Sequence, residues 1–507
     1  MDNSITVAIP REQFIVDEKA PPHVDEGYDL FEASANVAYS EEESRRLRRK
    51  IDWHILPLMC IANGLNYCDK VAMGWAVLFT FKADLHLVGD NYNWASSIFY
   101  FGLLASQYPS NYFLQRFSTV KVLSGAILLW GIMMLAIVGC HSYAAILVVR
   151  FILGVAEAGV SPALLMYTSV WYTRDEQVPR TLIWSMMQGC FAIIGGLLSY
   201  GLGHITGTAL TPWRYIFLVL GLLSVLLAAG WFFLMPESPV HAKWLTPEER
   251  VIAVQRVASN MTGVKSYEWK YYQMWHAIKD PKTWFLIIFI SLHSMTNGGL
   301  TSFGSLVVQG LGFNKFDTLL IGLPQSIVSA GSMLVWSLLS RRFHNFRTIG
   351  MGLPLVIAIA GIASIYATRD SGANKYGRVV AYWLINSYAV TFPFVLMIIG
   401  QNVAGHTKRA TTNALLFVFY AAGNIAGPFY FRTQDAPEYV LAITVILVFY
   451  CVCIGLAVGL RIYMISVNRS RDRRYGKVET MEEKLEGMRF GMHDKTDLEN
   501  TDFRYML

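Results

Sequence analysis

The stretch Arg150-Phe-Ile-Leu-Gly154-Val-Ala-Glu157-Ala158-Gly-Val-Ser-Pro162 lies inside an apolar run from about residue 143 to 169. A run of that length can cross a bilayer as one helix. Arg150 and Glu157 then share one face of the helix, about 10 Å apart along its axis, because seven residues make nearly two turns. They are too far apart to neutralise each other, so each needs another partner. Gly154 and Ala158 let a second helix approach this face closely.

The whole chain has the composition of a polytopic membrane protein. Its 507 residues are 54% hydrophobic and only 15% charged, whereas soluble domains carry about 25% charged residues. We therefore predict an all-α membrane protein with twelve transmembrane helices in two six-helix halves. The twelve apolar runs lie at about 53–78, 92–114, 120–140, 143–169, 180–203, 213–235, 282–308, 317–339, 348–368, 379–402, 411–432 and 438–463.

The placement of positive charge predicts the topology. A basic cluster at 45–50 precedes the first run, a second basic segment at 461–474 follows the last one, and the even-numbered connections are also basic. The loop at 369–378 is a basic exception on the opposite side. The positive-inside rule places both termini in the cytoplasm. Because 1–44 is polar and acidic, with no apolar signal-peptide core, we expect the first transmembrane helix to direct insertion, most simply into the plasma membrane.

The domain organisation follows from the same pattern. We predict a cytoplasmic N-terminal tail at 1–50, disordered over 1–44 because it is polar and aperiodic. The two halves span 51–239 and 282–464. A cytoplasmic linker at 240–281 joins them, with a helix start at Thr246-Pro247-Glu248-Glu249. A cytoplasmic C-terminal tail occupies 465–507.

Four full charges lie within the predicted spans, all in the first half. They are Asp69, Lys70, Arg150 and Glu157. Adjacent helical residues point about 100° apart, so Asp69 and Lys70 face different neighbours. Intramembrane charges usually mark a transport or proton pathway. The alternatives are structural ion pairing of Arg150 and Glu157 with neighbouring helices, and an interfacial pair at Asp69 and Lys70.

The second half carries neutral polar side chains in its spans instead. His293 fits either a functional role or a satisfied core histidine. Asn297-Gly298-Gly299 fits either a break in the seventh helix or close helix packing.

The balance of these charges predicts a mechanism. Two cations and two carboxylates sum to zero, so a bound organic anion would leave one excess negative charge in a low dielectric. Protonation of Asp69 or Glu157 restores neutrality and frees Lys70 or Arg150 to hold the anion. Arginine suits a carboxylate because its guanidinium forms two parallel hydrogen bonds. This reasoning predicts co-transport of a proton with a small organic anion.

Several other function classes lack their sequence signals. There is no Cys-x-x-Cys, no His-Glu-x-x-His and no Gly-x-x-x-x-Gly-Lys-[Ser/Thr] motif. The basic segments are juxtamembrane, which gives nucleic-acid binding no support. We expect neither enzymatic activity nor a cofactor or metal. The expected partners are the organic anion, protons and membrane lipid, and we expect a monomer.

At these residues the sequence resembles the major facilitator superfamily, in its anion:cation symporter branch. The shared features are Arg150-x-x-x-Gly154-x-x-x-Ala158-x-x-x-Pro162 with Glu157, Asp69-Lys70, and the proline-rich run at 236–239. The segments 99–102, 107–112 and 402–409 are similar to fungal allantoate permease-like transporters. That group carries allantoate, ureidosuccinate, nicotinate, pantothenate, biotin and cysteine. The resemblance implies two pseudo-symmetric six-helix halves with a midplane site.

The resemblance also implies roles for particular residues. Asp69 and Glu157 fall at proton-coupling positions, whereas Lys70 and Arg150 fall at substrate-carboxylate positions, although arginine is more usual at Lys70. Gln188 and Asn424 match polar substrate contacts. The family's Gly-x-x-x-Asp-Arg-x-Gly-Arg loop is degraded here, with Gln115 where aspartate is expected.

Three functions fit these features. The first is a proton-coupled symporter of a small organic anion. The second is a uniporter or exchanger whose carboxylates are structural. The third is a nutrient sensor that signals through its tails. Proton influx on addition of substrate separates the first function from the other two.

Overall fold

The structure is a computed structural model that describes residues 40–205, 207, 209–258, 270–343, 345–368, 374–476, 496–500 and 503–507. Within these residues the protein is built from α-helices and short 3₁₀ turns. Nearly all of the predicted disordered segment at 1–44 lies outside the described residues. The first half contains α1 (Glu41–Ala76), α2 (Phe81–Asp84), α3 (Asn91–Arg116), α4 (Thr119–Val138), α5 (Tyr143–Glu157), α6 (Val160–Trp171), α7 (Arg174–Gly203) and α8 (Pro212–Leu234).

Two helices lie in the linker, and the remaining eight form the second half. The linker helices are α9 (Pro247–Ala258) and α10 (Tyr271–Lys279). The helix start predicted at Thr246 is confirmed, because Thr246 Oγ1 accepts from the Glu249 amide at 3.2 Å. The second half contains α11 (Pro281–Gly310), α12 (Lys315–Ile321), α13 (Leu323–Arg342), α14 (Arg347–Ala367), α15 (Lys375–Ile385), α16 (Thr391–Asn402), α17 (His406–Ala426) and α18 (Val440–Tyr475).

The first helix begins well before the predicted apolar run. Ser40 caps it through a reciprocal pair of hydrogen bonds with Glu43, and three glutamates fill its first turn. Negative side chains at a helix N-terminus stabilise the helix, because they interact favourably with the positive end of its dipole. The basic cluster at 45–50 is therefore part of α1 itself. At the other end of the chain, α18 continues to Tyr475, beyond the predicted end of the last span.

Prolines divide two of the predicted spans at equivalent places. The fourth span splits into α5 and α6, and Pro162 is the third residue of α6. The tenth splits into α15, a 3₁₀ turn at Asn386–Val390 and α16, where Pro393 is again third. Proline has no amide hydrogen and its ring clashes with the carbonyl four residues earlier. The fourth span therefore loses regular helical hydrogen bonding at residues 158–159, directly after Glu157, although the backbone there keeps right-handed helical dihedrals.

The seventh span is one continuous helix, so the break considered at Asn297-Gly-Gly is wrong and the close-packing alternative is right. A methyl group on Gly298 would overlap with the backbone of Asn424 on α17, and one on Gly427 would overlap with the Met295 carbonyl. Glycine lets these two backbones approach each other.

The helix packing repeats between the two halves. In the first half, α1 packs on α7, α3 on α5, and α4 on α8. In the second half, α11 packs on α17, α13 on α15 and its 3₁₀ turn, and α14 on α18. Contacts between the halves run from α1 to α11, α3 to α17, and α7 to α13. This is the predicted pair of pseudo-symmetric six-helix halves.

Among the described residues, eight segments meet a strict length and hydropathy test for a membrane span. The four predicted spans that fall short are α1, α3, α11 and α17. These helices meet one another across the boundary between the halves. Two hydroxyl groups of α3 cross that boundary, because Tyr92 donates to the Ser302 carbonyl and Ser97 donates to the Ile425 carbonyl.

Candidate functional site

A small hydrogen-bonded cluster joins α1 to the end of α5. Asn66 Nδ2 donates to Glu157 Oε2 at 2.7 Å, and Lys70 Nζ donates to Asn66 Oδ1 at 2.7 Å. Lys70 Nζ also lies 3.8 Å from Glu157 Oε2. Asn66 and Lys70 are four residues apart, so they share one face of α1. The partner that Glu157 requires is therefore Lys70, with Asn66 holding both groups in place.

Asp69 faces a different neighbour. Its side chain is buried, and Oδ2 accepts a hydrogen bond from the indole nitrogen of Trp130 on α4. Asp69 Oδ1 has no hydrogen-bond partner among the described residues. The prediction that Asp69 and Lys70 point to different helices is confirmed.

Arg150 is buried without a carboxylate partner. Its guanidinium carbon lies 5.5 Å from the centre of the Phe99 ring. Only 4% of the residue is exposed. Among the described residues, Arg150 forms no ion pair, and neither Nε nor Nη1 has a hydrogen-bond partner. A buried cation in this position can bind an anion strongly, because little water competes for it.

Close packing explains how Arg150 and Phe99 come together. A methyl group on Gly154 would overlap with the Phe99 carbonyl of α3, and one on Gly102 would overlap with the Phe151 carbonyl of α5. The prediction that Gly154 admits a neighbouring helix is confirmed, and that helix is α3.

Gln188 of α7 contacts α1 at Asn63, which lies about one turn before Asn66. Its Nε2 is 3.4 Å from Asn63 Oδ1, and Asn63 Nδ2 in turn donates to the Trp184 carbonyl at 2.8 Å. Gln188 is only partly buried. It can therefore turn its amide toward a ligand at the boundary between the halves.

Asn424 belongs to a second, uncharged network in the other half. Its Oδ1 accepts from Asn297 Nδ2 at 2.9 Å, and its Nδ2 donates to the Tyr420 carbonyl at 2.9 Å. Tyr388 donates to Asn297 Oδ1 at 3.1 Å. Next to Asn424 in the chain, the Ile425 carbonyl accepts from Ser97 of α3 at 2.8 Å. Helix α3 therefore contacts both Arg150 and the helix that carries Asn424.

The two halves also meet at the end of the bundle away from the chain termini, which we call the distal end. Phe316 stacks on His204 at 4.0 Å, and Trp94 packs edge-on against Phe429 at 5.1 Å. Tyr92 donates to the Ser302 carbonyl at 2.8 Å. These contacts hold the halves together on the distal side of the charged residues.

Sequence reasoning assigned no role to Asn66, Trp130 or Asn63. The four-residue spacing between Asn66 and Lys70 could have indicated that Asn66 lies on the same face of α1 and contacts Lys70. Trp130 had no such signal, because it lies in an otherwise apolar run whose partners only the folded structure shows. Within the described residues, no group of three or more His, Cys, Asp or Glu side chains is placed to hold a metal.

Comparison with known proteins agrees with this architecture. Residues 59–428 match the family model described as Major Facilitator Superfamily. An uncharacterized transporter of Schizosaccharomyces pombe is 34% identical over 93% of this chain and 89% of its own length. The allantoate permease of Saccharomyces cerevisiae is 33% identical over 96% of this chain and 90% of its own.

A solved structure supports the same fold. The inward-facing, unoccupied crystal structure of a bacterial homolog of the human lysosomal transporter Spinster superposes with a TM-score of 0.59. It covers 83% of this chain and 98% of its own at 16% identity. The chain therefore belongs to the Major Facilitator Superfamily and is a multi-pass membrane transporter.

Proposed function

We propose that this transporter is a proton-coupled symporter that imports a small organic anion. The observation that carries the proposal is Arg150, a buried guanidinium that forms no ion pair among the described residues. A substrate carboxylate can accept two hydrogen bonds from such a group. The similarity to an allantoate permease supports an organic acid of the predicted set, such as allantoate, ureidosuccinate, nicotinate or pantothenate.

Glu157 is our first candidate for the coupling group. It contacts Lys70 rather than Arg150, so its protonation releases Lys70 as a second cation for the substrate. The site would then bind one anion and one proton with no net change in charge. Since a buried excess charge is costly, this balance links the two binding events. Asp69, held by Trp130, is the second candidate.

The neutral network of the second half would recognise the rest of the substrate. Asn424, Asn297 and Tyr388 offer amide and hydroxyl groups without adding charge. Gln188, beside Asn63, would add an amide from the first half. Selectivity among organic anions would then depend on the shape and polarity of the group that lies opposite the carboxylate.

We further propose that both termini are cytoplasmic and that the transporter works as a monomer in the plasma membrane. With that orientation, the distal contacts at Phe316 and Tyr92 close the outer side of the site. Alternating access would separate these contacts and bring the opposite ends of the halves together. The predicted domain boundaries at 51–239 and 282–464 define the two moving bodies.

The ion pair between Lys70 and Glu157 also favours a second candidate, a uniporter or exchanger with a structural ion pair. Proteoliposomes that contain a pH-sensitive dye separate the two. We expect labelled allantoate, the first probe, to enter together with protons. Amides or esters of the transported acid should compete poorly with it. Uptake without proton movement would refute coupling, and equal competition by a neutral analogue would refute carboxylate binding.

A further inference from the structure

Each half contains an ion pair of the same kind at the end of the bundle opposite the distal end. In the first half, Asp52 of α1 accepts from Arg180 of α7 at 2.8 Å. In the second half, Asp280 at the start of α11 accepts from Lys408 of α17 at 2.7 Å. Both pairs are separated by 128 residues in sequence. In each half, the pair joins the first membrane-spanning helix to the fifth: α1 to α7 in the first half, and α11 to α17 in the second.

The second half adds two more charges to this pair. Lys282 lies 3.3 Å from Asp280, and Asp497 of the C-terminal tail lies 2.7 Å from Lys282 and 2.8 Å from Lys408. The side chains of all four residues are fully buried. Two lysines and two aspartates sum to zero only because the tail contributes Asp497.

The Asp497 carboxylate is fully hydrogen-bonded in this position. Oδ1 accepts from Lys408 Nζ at 2.8 Å and from the Ala404 amide at 3.1 Å. Oδ2 accepts from Lys282 Nζ at 2.7 Å and from the Tyr505 hydroxyl at 2.8 Å. Four donors around one buried carboxylate form a built site rather than a chance contact.

The rest of the described tail docks around the same point. The Met506 amide donates to Asn402 Oδ1 at 2.7 Å, and Asn402 Nδ2 donates back to the Met506 carbonyl at 2.9 Å. The Leu507 carbonyl accepts from the Arg347 amide at 3.1 Å. Arg471 of α18 donates to the Asp497 carbonyl at 2.7 Å. The tail therefore contacts α11, α14, α16, α17 and α18.

We propose that residues 496–500 and 503–507 form a C-terminal clasp that is an integral part of the second half. Its Asp497 is the counter-ion that holds the ends of α11 and α17 together. These are the helices that carry Asn297 and Asn424 in the candidate site. Detachment of the clasp, by modification or cleavage of the tail, loosens these helices. The tail is thereby coupled to the two helices that carry these site residues.

Hydrogen exchange on the full-length protein tests the clasp without a known substrate. Asp497→Asn leaves two lysines and one aspartate buried, and a buried unpaired charge is strongly destabilising. We expect amide exchange in peptide 496–507 to become at least about tenfold faster, with faster exchange also in the first turns of α11 and α17. Asp472→Asn is the matched control, since Asp472 forms only a partly exposed pair with Arg504. It should change these rates less than about twofold.

A charge-compensated variant completes the test. Lys282→Met with Asp497→Asn again leaves one lysine and one aspartate, and methionine keeps the length of the side chain. We expect slow exchange at the first turns of α11 and α17 to return in this double variant. Wild-type exchange rates in Asp497→Asn would overturn the clasp. Equal effects of Asp472→Asn and Asp497→Asn, or no recovery in the double variant, would overturn the counter-ion role.

Discussion

The substitution Glu157→Gln tests the link between proton and substrate most directly. Glutamine keeps the size of the side chain and can still accept the hydrogen bond from Asn66, but it cannot carry the charge that faces Lys70. It imitates a permanently protonated carboxyl group. If Glu157 is the coupling group, the variant binds and exchanges substrate, yet it cannot release a proton to complete the cycle.

The geometry gives the size of the expected effect. At the 3.8 Å separation of Lys70 and Glu157, a unit-charge pair interacts by about 4 kcal/mol at an effective dielectric constant near 20. Lys70 remains 23% exposed, so solvent screening reduces the attraction to about 1–2 kcal/mol. In wild type, a substrate carboxylate must compete with Glu157 for Lys70, and in the variant that competition is absent. We therefore expect substrate to bind roughly tenfold more tightly, since 1.4 kcal/mol corresponds to tenfold.

Two measurements in the same vesicles give the answer. Counterflow exchange of labelled allantoate should persist in Glu157→Gln, whereas accumulation driven by a pH gradient should fall to the level of empty vesicles. Asp69→Asn is the matched substitution at the other buried carboxylate. If Glu157→Gln still concentrates substrate and acidifies the lumen, Glu157 is structural, and loss of accumulation in Asp69→Asn would then assign coupling to Asp69.

Three further predictions follow from particular contacts. Arg150→Lys should fold and reach the membrane but lose most transport, because an ammonium group cannot form the paired hydrogen bonds of a guanidinium; normal uptake by the localised variant would refute the substrate role. Gly154→Ala should destabilise the protein by about 1–3 kcal/mol, since its methyl group overlaps the Phe99 carbonyl, whereas Gly125→Ala, with open space around its Cα, should be neutral in a thermal-unfolding assay. Burial alone would raise the pKa of Asp497, but Lys282 and Lys408 outweigh it and lower that pKa to about 2. Its stabilising contribution is therefore full above an ordinary aspartate pKa near 4 and is lost as pH falls toward 2. The difference in unfolding temperature between wild type and Asp497→Asn should stay constant from pH 5 to 8, and a marked change within that range would contradict the ion pairing.

Local sequence patterns were enough for the helices and for the charged residues of the first half. Apolar runs of bilayer length identified the spans, and the spacing of Arg150, Gly154 and Glu157 placed them on one face. Helix ends were less predictable. Ser40 and Glu43 begin α1 in a polar stretch that hydropathy assigns to the tail, and Pro162 ends α5 inside a run that hydropathy treats as continuous.

The pairing of the charges required the tertiary structure. Sequence spacing excluded direct pairing of Arg150 with Glu157, but several partners remained for each of them. The folded chain brings Lys70 to Glu157 and Trp130 to Asp69, and it places Arg150 against Phe99. Each of these contacts depends on how two helices rotate and approach each other, which local hydropathy does not determine. For Arg150 and Phe99, the close packing at Gly154 and Gly102 sets that approach.

The tail shows the same division between sequence and tertiary structure. The sequence by itself determined a membrane transporter with four charges inside the spans of one half and a polar C-terminal segment after the last span. Only the tertiary structure placed Asp497 between Lys282 and Lys408, more than eighty residues away along the chain. The physical reason is that hydropathy depends only on residues that are neighbours along the chain. The charge balance of a buried cluster depends on side chains that are distant in sequence and meet only when the chain folds.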